Sequence, residues 1–274
     1  MPYGWRIQGG TTLGRDTLRL LIDADVLVYE LAHSEQQTYR IPITNEVGEL
    51  DYYFMNVGRE KQALLHLDRR ISEMLDVLGA DSYKMFLSYP GPTFRHEVLT
   101  TYKSNRVPKQ KPLLYHRLRE VFLEQYDAMM VKGLEGDDLL GLEYQAGTDV
   151  ICTVDKDLRT VPGTHYNWQK PEDGTEDLEP SQAYYNFLLQ AFMGDRTDGY
   201  MGCPNVGEKT APKKLAGVNL MDAWEDVIVP EYEKKGLSRF VAEANARCAW
   251  ILRRGDYDWD TNEIINVEPW RAQL

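Results

Sequence analysis

Leu18-Arg19-Leu20-Leu21-Ile22-Asp23 is the stretch whose reading decides the fold of this chain. A short, mostly apolar run that stops at an acid suits a parallel strand buried on both faces, with the acid at its carboxyl end. Outward from it, Val26, Leu27, Tyr29 and Leu31 suit a helix from Asp25 to about His33. The same theme recurs downstream. Tyr83–Tyr89, Ala128–Val131, Asp149–Val154 and His165–Trp168 read as strands. Helical spacing falls between them, over Ala63–Leu78, over a segment opened by Pro112 that carries Leu114, Leu118, Val121 and Phe122, and over Asp137–Gln145. A further helix is expected over Ser181–Met193, capped at Ser181 or its neighbours. Strands alternating with helices indicate an α/β fold with a mostly parallel sheet, whose ligands collect beyond the carboxyl ends of the strands. Residues 1–16 read as a loose lead-in and 34–55 as mixed and turn-like. Residues 90–111 read as an open loop or arch, Lys170–Pro180 as a polar connector, and Gly194–Gly207 as a Gly- and Pro-rich junction.

The 274 residues are 43% hydrophobic and carry a formal net charge of −12, a composition that excludes disordered and fibrous classes and leaves room for a sizeable core. No run is apolar enough to cross a bilayer, and no charged-then-apolar leader is visible, so a membrane partner is not expected. Cys152, Cys203 and Cys248 lie far apart, against a disulfide framework or a zinc site and for a reducing, cytoplasmic setting. An acidic total argues against nucleic acid, but its distribution argues the other way.

Acids gather where strands end: Asp23, then Glu135, Asp137 and Asp138, then Asp155 and Asp157, with Asp195 and Asp198 at the Gly-rich junction. On a parallel sheet all eight converge on one edge. Like charges about 4 Å apart repel by roughly 4 kcal/mol per pair at an effective dielectric near 20. Such a group is therefore either partly protonated or held by hard divalent cations, Mg²⁺ above all. Taken singly, Asp25, Asp137 and Asp157 are better explained as helix caps than as ligands; recurrence at successive strand ends favours the metal reading. Residues 95–119 carry Arg95, Lys103, Arg106, Lys109, Lys111, Arg117 and Arg119 against Glu97 alone. A charged run is by default a solvated loop, yet a basic strip beside a metal-holding acidic pocket suits cleavage of a phosphodiester backbone.

Five motifs follow one another in order: Leu21-Ile22-Asp23, Tyr102-Lys103-Ser104-Asn105-Arg106, Leu134-Glu135-Gly136-Asp137-Asp138, Thr153-Val154-Asp155-Lys156-Asp157 and Gly194-Asp195-Arg196-Thr197-Asp198-Gly199. On these the chain resembles the flap endonuclease/5′–3′ exonuclease superfamily, most nearly the short bacteriophage exonucleases, from about residue 18 to 216 and more weakly near Ala249–Asp258. The resemblance implies a PIN-like catalytic domain over 1–180, with a helical arch near 90–120. It implies a helical, helix-turn-helix-type duplex-binding region over 181–274. Asp23, Glu135, Asp137 and Asp138 match one set of Mg²⁺ ligands. Asp155, Asp157, Asp195 and Asp198 match the other, with Asp155 between two ions for which Mn²⁺ should substitute. Lys103 and Arg106 match cations that hold the scissile phosphate. Gly202 to Ala211 looks like the glycine-rich hairpin whose N–H groups, with K⁺ as a candidate companion, approach phosphates. On this likeness Gly202, Gly207, Lys209 and Thr210 would touch DNA, as would Arg95, Lys109, Lys111, Arg117 and Arg119 along the strip and Lys213 and Lys214 further on. Tyr102 would stack on a terminal base or belong to the core.

The implied activity is Mg²⁺-dependent 5′–3′ exonuclease or flap cleavage of duplex or branched DNA, with RNA–DNA hybrid as a further candidate, by a monomer. Two departures stand out. Ser88-Tyr89-Pro90-Gly91 lacks the acid that the family usually places after the second strand, leaving Ser88 or water to fill the gap. Pro212 fits the duplex-binding helix only if that helix starts near Thr210 or Ala211. Two rivals compete. A haloacid-dehalogenase-like phosphatase would use Asp23 as nucleophile but leaves Glu135–Asp138 and Asp155–Asp157 unexplained. A degenerate relative would bind DNA without cutting it.

Overall fold

Arg19–Asp23 forms the central strand β1, and its alternation places Leu21 in the core on one face of the sheet and Leu20 and Ile22 in the core on the other. The computed structural model describes residues 17–106 and 110–265; the lead-in read at 1–16 lies outside them. From β1 the chain enters α1 (Ala24–Ser34), then an antiparallel ribbon of β2 (Gln36–Thr44) and β3 (Leu50–Gly58), then α2 (Glu60–Leu78) and β4 (Ser82–Phe86). α3 (Phe94–Val98) and α4 (Tyr115–Gln125) lead to β5 (Ala128–Met129), and α5 (Gly136–Glu143) leads to β6 (Asp149–Cys152). A 3₁₀ turn over Lys156–Thr160 precedes β7 (Gly163–Tyr166) and β8 (Thr175–Leu178). The remainder is helical: α6 (Pro180–Met193), α7 (Ala211–Leu215), α8 (Val229–Lys234) and α9 (Arg239–Ala249), closed by a small hairpin of β9 (Tyr257–Asp258) and β10 (Glu263–Ile264).

The six-stranded sheet runs β5-β4-β1-β6-β7-β8, parallel throughout except for β8. One face is covered by α1, α2 and α4 through Leu27, Leu67 and Leu118; the other by α5, α6 and α9 through Leu139, Phe187 and Ala246. That second core is continuous from Leu21 and Ile151 to Trp250 and Leu252. No described helix is long and apolar enough to cross a membrane.

Four expectations change. Residues 34–55 are not turn-like: they supply the ribbon, whose nine-residue strands pair from Gln36↔Gly58 to Thr44↔Leu50. Tyr39, Ile41 and Ile43 do alternate with Thr38, Arg40, Pro42 and Thr44, but a proline inside the run argues against a strand; β2 tolerates it as an edge. Lys170–Pro180 is not merely a connector, since Thr175–Leu178 adds the antiparallel edge strand. The cap of α6 is Glu179 rather than Ser181, with Pro180 in the first helical position, where the missing N–H costs nothing. The arch segment holds no long helix among its described residues; α3 has five residues, and turns follow it.

Candidate metal centre and its cations

The first acid after β1, the first before α5 and the first after β6 each cap the element that follows while facing their neighbours. Asp23 caps α1, accepting from Val26 N, and its other oxygen accepts from Thr153 Oγ1 at 3.0 Å. Thr153 Oγ1 accepts in turn from Asp155 N (3.0 Å), and Asp155 caps the 3₁₀ turn by accepting from Asp157 N (2.8 Å). The ends of β1 and β6 are thereby tied together. Glu135 caps α5. The caps are thus Asp23, Glu135 and Asp155, rather than the Asp25, Asp137 and Asp157 that capping alone suggested.

Asp138 closes the capping box of α5, accepting from Glu135 N at 3.1 Å. It is completely buried and receives two further bonds from Arg95, at 2.7 and 2.8 Å, and one from Leu252 N. Arg95 also donates to the carbonyls of Cys248 and Trp250. With every oxygen committed, Asp138 is a structural anchor rather than a metal ligand. Arg95, 2% exposed, is its counter-ion rather than a DNA contact. The weak likeness near Ala249–Asp258 marks this same knot, where the C-terminal tail is fastened under α5.

Lys103 and Arg106 are brought to the acids by one main-chain bond and several side-chain bonds between residues 101–106 and 196–199. Lys103 N donates to Asp198 O at 2.7 Å, and Asn105 and Arg106 reach the carbonyls of Arg196 and Thr197. A Cβ on Gly199 would lie 2.5 Å from Thr101 O, so the close approach requires glycine there. Lys103 Nζ then sits 2.7 Å from Glu135 and 3.7 Å from Asp198, and Arg106 pairs with Asp198. Tyr102, 2% exposed, donates to Asp198 at 3.0 Å, so it braces the acids and is not free to stack on a base. Asp195 organises its own loop, accepting from Thr197 N at 2.6 Å.

The electrostatics follow from burial. Desolvation, joined by Asp25, pushes the Asp23 carboxyl up to about 7. Desolvation and then the neighbouring charges of Asp23 and Asp155 hold Asp137 well above the usual carboxylate range. Burial and Asp155 push Asp157 up to about 6. Around Asp23 and Asp137 the charges that matter are other acids, not cations. A set of oxygen donors short of positive charge fits hard divalent ions. As they stand, no three carboxylates among the described residues close around a single point; Lys103 lies between Glu135 and Asp198 as a resident counter-ion.

The glycine-rich hairpin departs from the sequence expectation. Gly194 and Gly202 cross so closely that a Cβ on either would lie 2.2 Å or less from the other strand's backbone. Gly202 is buried, and its N–H donates to Asn245 at 2.9 Å, so it cannot also serve a phosphate. Gly207 N donates to Thr210 Oγ1. Lys209 and Thr210 are exposed. α7 begins at Ala211 with Pro212 in its first turn, where proline is tolerated. Elsewhere, Arg119 is buried against Asp25 (2.5 Å) and does not stand free to guide DNA, whereas Arg117, paired with Glu60, and Lys214, paired with Glu231, keep their side chains at the surface. Lys111 lies over the rings of Tyr115 and Tyr29. Lys109 lies outside the described residues.

Asp25, read only as a cap, belongs to this neighbourhood: it accepts from Ser88 N at 2.8 Å, and Ser88 Oγ accepts from Gly136 N at 2.9 Å. The spacing of Asp23 and Asp25 at the strand end was its signal in the sequence.

Comparison with known proteins agrees with this geometry. The chain is 30% identical over 178 residues to an exodeoxyribonuclease of Enterobacteria phage T3, covering 61% of this chain and 55% of that protein. It is 30% identical over 115 residues to an exonuclease of Escherichia phage T7, covering 39% and 38%. These matches span about half or less of the phage proteins' length. No protein-family model matches. Its fold is shared with the T5 D15 protein, crystallised with metal ions, at a TM-score of 0.57 and 15% identity over 84% of this chain and 88% of that one. Likeness in sequence to the two phage exonucleases and likeness in fold to the T5 D15 protein point the same way.

Proposed function

We propose that the chain is a divalent-metal-dependent 5′–3′ exonuclease or flap endonuclease acting on duplex or branched DNA. The observation that carries this is the meeting of acids from four separate segments, the ends of β1 and β6, the start of α5 and the 195–198 loop, with two cations from a fifth. Asp23, Glu135 and Asp137 would serve one ion; Asp155, Asp157, Asp195 and Asp198 the other. When bound, such ions, Mg²⁺ being the expected species, supply a water of lowered pKa and charge stabilisation for the leaving oxygen. Lys103 and Arg106 would exchange their acid partners for the scissile phosphate and neutralise the charge developing on it. Thr153 and Tyr102 hold Asp23 and Asp198 in orientation. Asp138 and Arg95 keep α5 in place without touching substrate.

The phage relatives are an exodeoxyribonuclease and an exonuclease, and a T5 5′-exonuclease of this fold binds zinc, which supports both reaction class and metal need. Duplex grip by residues 181–274 through Lys209, Thr210 and Lys213, and K⁺ at the hairpin, are parts of the same proposal and rest on the resemblance. So do action on RNA–DNA hybrid and a monomeric state, whereas a cytoplasmic setting rests on the three separated cysteines. The test is a 5′-labelled duplex incubated with Mg²⁺ or with EDTA, comparing the parent with Asp155→Asn. Short labelled products from the parent in Mg²⁺ alone support the proposal. Undiminished cleavage in EDTA or by the variant overturns it. Cleavage of an aryl phosphate but not of DNA would instead support the phosphatase.

A further inference from the structure

The superfamily likeness leads one to expect an acid just after the second sheet strand, where this chain has Ser88. The geometry there is not simply vacant of charge. From the first turn of α1, Asp25 extends one carboxylate oxygen to Ser88 N at 2.8 Å and the other to Arg119 Nη1 at 2.5 Å. Arg119, 8% exposed, also donates to the Ser88 carbonyl. The Asp25 carboxylate lies 3.2 Å from where a Cβ on Gly136 would sit, so glycine there leaves the carboxylate room beside the turn between Glu135 and Asp137. Ser88 Oγ accepts from Gly136 N at 2.9 Å. Asp25 therefore bridges three places at once: the helix that Asp23 caps, the loop after β4, and the start of α5.

On the metal-centre reading given above, we propose that Asp25, oriented by Arg119, is a positioning residue that takes over the duty of the missing acid. Its oxygens are already committed to Ser88 N and Arg119, so it acts through its neighbours and not as a ligand. It fixes the Glu135–Asp137 turn against Asp23 and supplies a negative charge on the β4 side of the site. A buried arginine paired to a carboxylate beside a metal centre holds that carboxylate in one orientation, the role outer partners play for metal ligands. Arg119 can play it because α4 places Leu118, Val121 and Phe122 in the core around it.

The test is calorimetric titration of Mn²⁺ into the full chain, with thermal melting recorded on the same samples. Asp25→Asn keeps an acceptor for Ser88 N but loses the charge; Mn²⁺ affinity should fall by about 10- to 100-fold, the range for outer partners of metal ligands. Adding Ser88→Asp to Asp25→Asn returns a carboxylate within reach of Arg119 and should restore most of that affinity. A purely structural role predicts no such rescue of Mn²⁺ binding. Because Asp25→Asn leaves Arg119 buried without its partner and can unfold the chain, Asp25→Asn with Arg119→Met removes both charges and should bind Mn²⁺ as weakly as the single variant. Parent-like Mn²⁺ affinity in either variant that lacks the acid, or no recovery on adding Ser88→Asp, overturns the proposal. Failure of the parent itself to bind Mn²⁺ would instead overturn the metal-centre reading.

Discussion

The carboxyl edge of the sheet and the β2–β3 ribbon handle polarity in opposite ways. At the edge, acids are buried and bound by groups distant in sequence: Arg95 reaches Asp138, Cys248 and Trp250. On the ribbon, apolar side chains are exposed and pairing is wholly local. Tyr39 with Met55 and Ile41 with Tyr53 share one face, and all four are at least 36% exposed. The ribbon joins the body at a narrow root, where Arg59 N donates to the Glu35 carbonyl and the Glu35 carboxylate takes Arg59 and His66. The edge is therefore held by the whole fold, whereas the ribbon hangs from it.

That contrast can be broken by experiment. The largest effect is expected from Arg95→Met, which strands Asp138 as a buried charge; the cost should be about 3–5 kcal/mol in chemical denaturation. A loss below about 1 kcal/mol would mean that the edge is not held as described. Asp155→Asn should leave folding nearly intact while lowering cleavage of labelled duplex on the order of 10²–10³-fold, as loss of transition-state charge stabilisation does.

Next comes pH. Asp23 titrates at about 7 and Asp157 at about 6 in the fold, against roughly 4 in the unfolded chain. The folded protein thus holds protons that the unfolded one has lost. The stabilisation from these two acids is present at about pH 4 and is lost as pH rises through 6 to 7. Scanning calorimetry should find that Mg²⁺ raises the melting temperature more at pH 8 than at pH 5; an equal rise at both would break the account. The smallest effect belongs to the ribbon. Replacing residues 36–58 by a short glycine-rich turn between Glu35 and Arg59 should cost less than about 1 kcal/mol by urea unfolding, because a two-stranded ribbon adds little to a core it does not enter. A larger loss would show that the ribbon is part of the core's support.

Much of the edge was legible in the sequence. A run such as Leu20-Leu21-Ile22 ending in Asp23 has one economical arrangement, a central parallel strand with its acid at the carboxyl end, and acids after two further strands name the sheet edge. The ribbon was less legible, because Pro42 interrupts its signal and Tyr52-Tyr53-Phe54-Met55 lacks alternation. Arg95 and Arg119 were misassigned, and Tyr102 was left between two readings, for a different reason: a basic or aromatic residue looks alike in sequence whether it faces solvent or closes a buried network.

Local pattern alone determined which residue types gather at the strand ends, the parallel α/β frame, and the chemistry those acids suit. Only the tertiary structure decided which cations stay near the acids and which are spent on structure. Pairings such as Arg95–Asp138, Arg106–Asp198 and Asp25–Arg119 join residues 43 to 94 positions apart. Their geometry depends on how the sheet and its helices pack, because burial and charge distance are properties of the assembled core and leave no periodic trace along the chain.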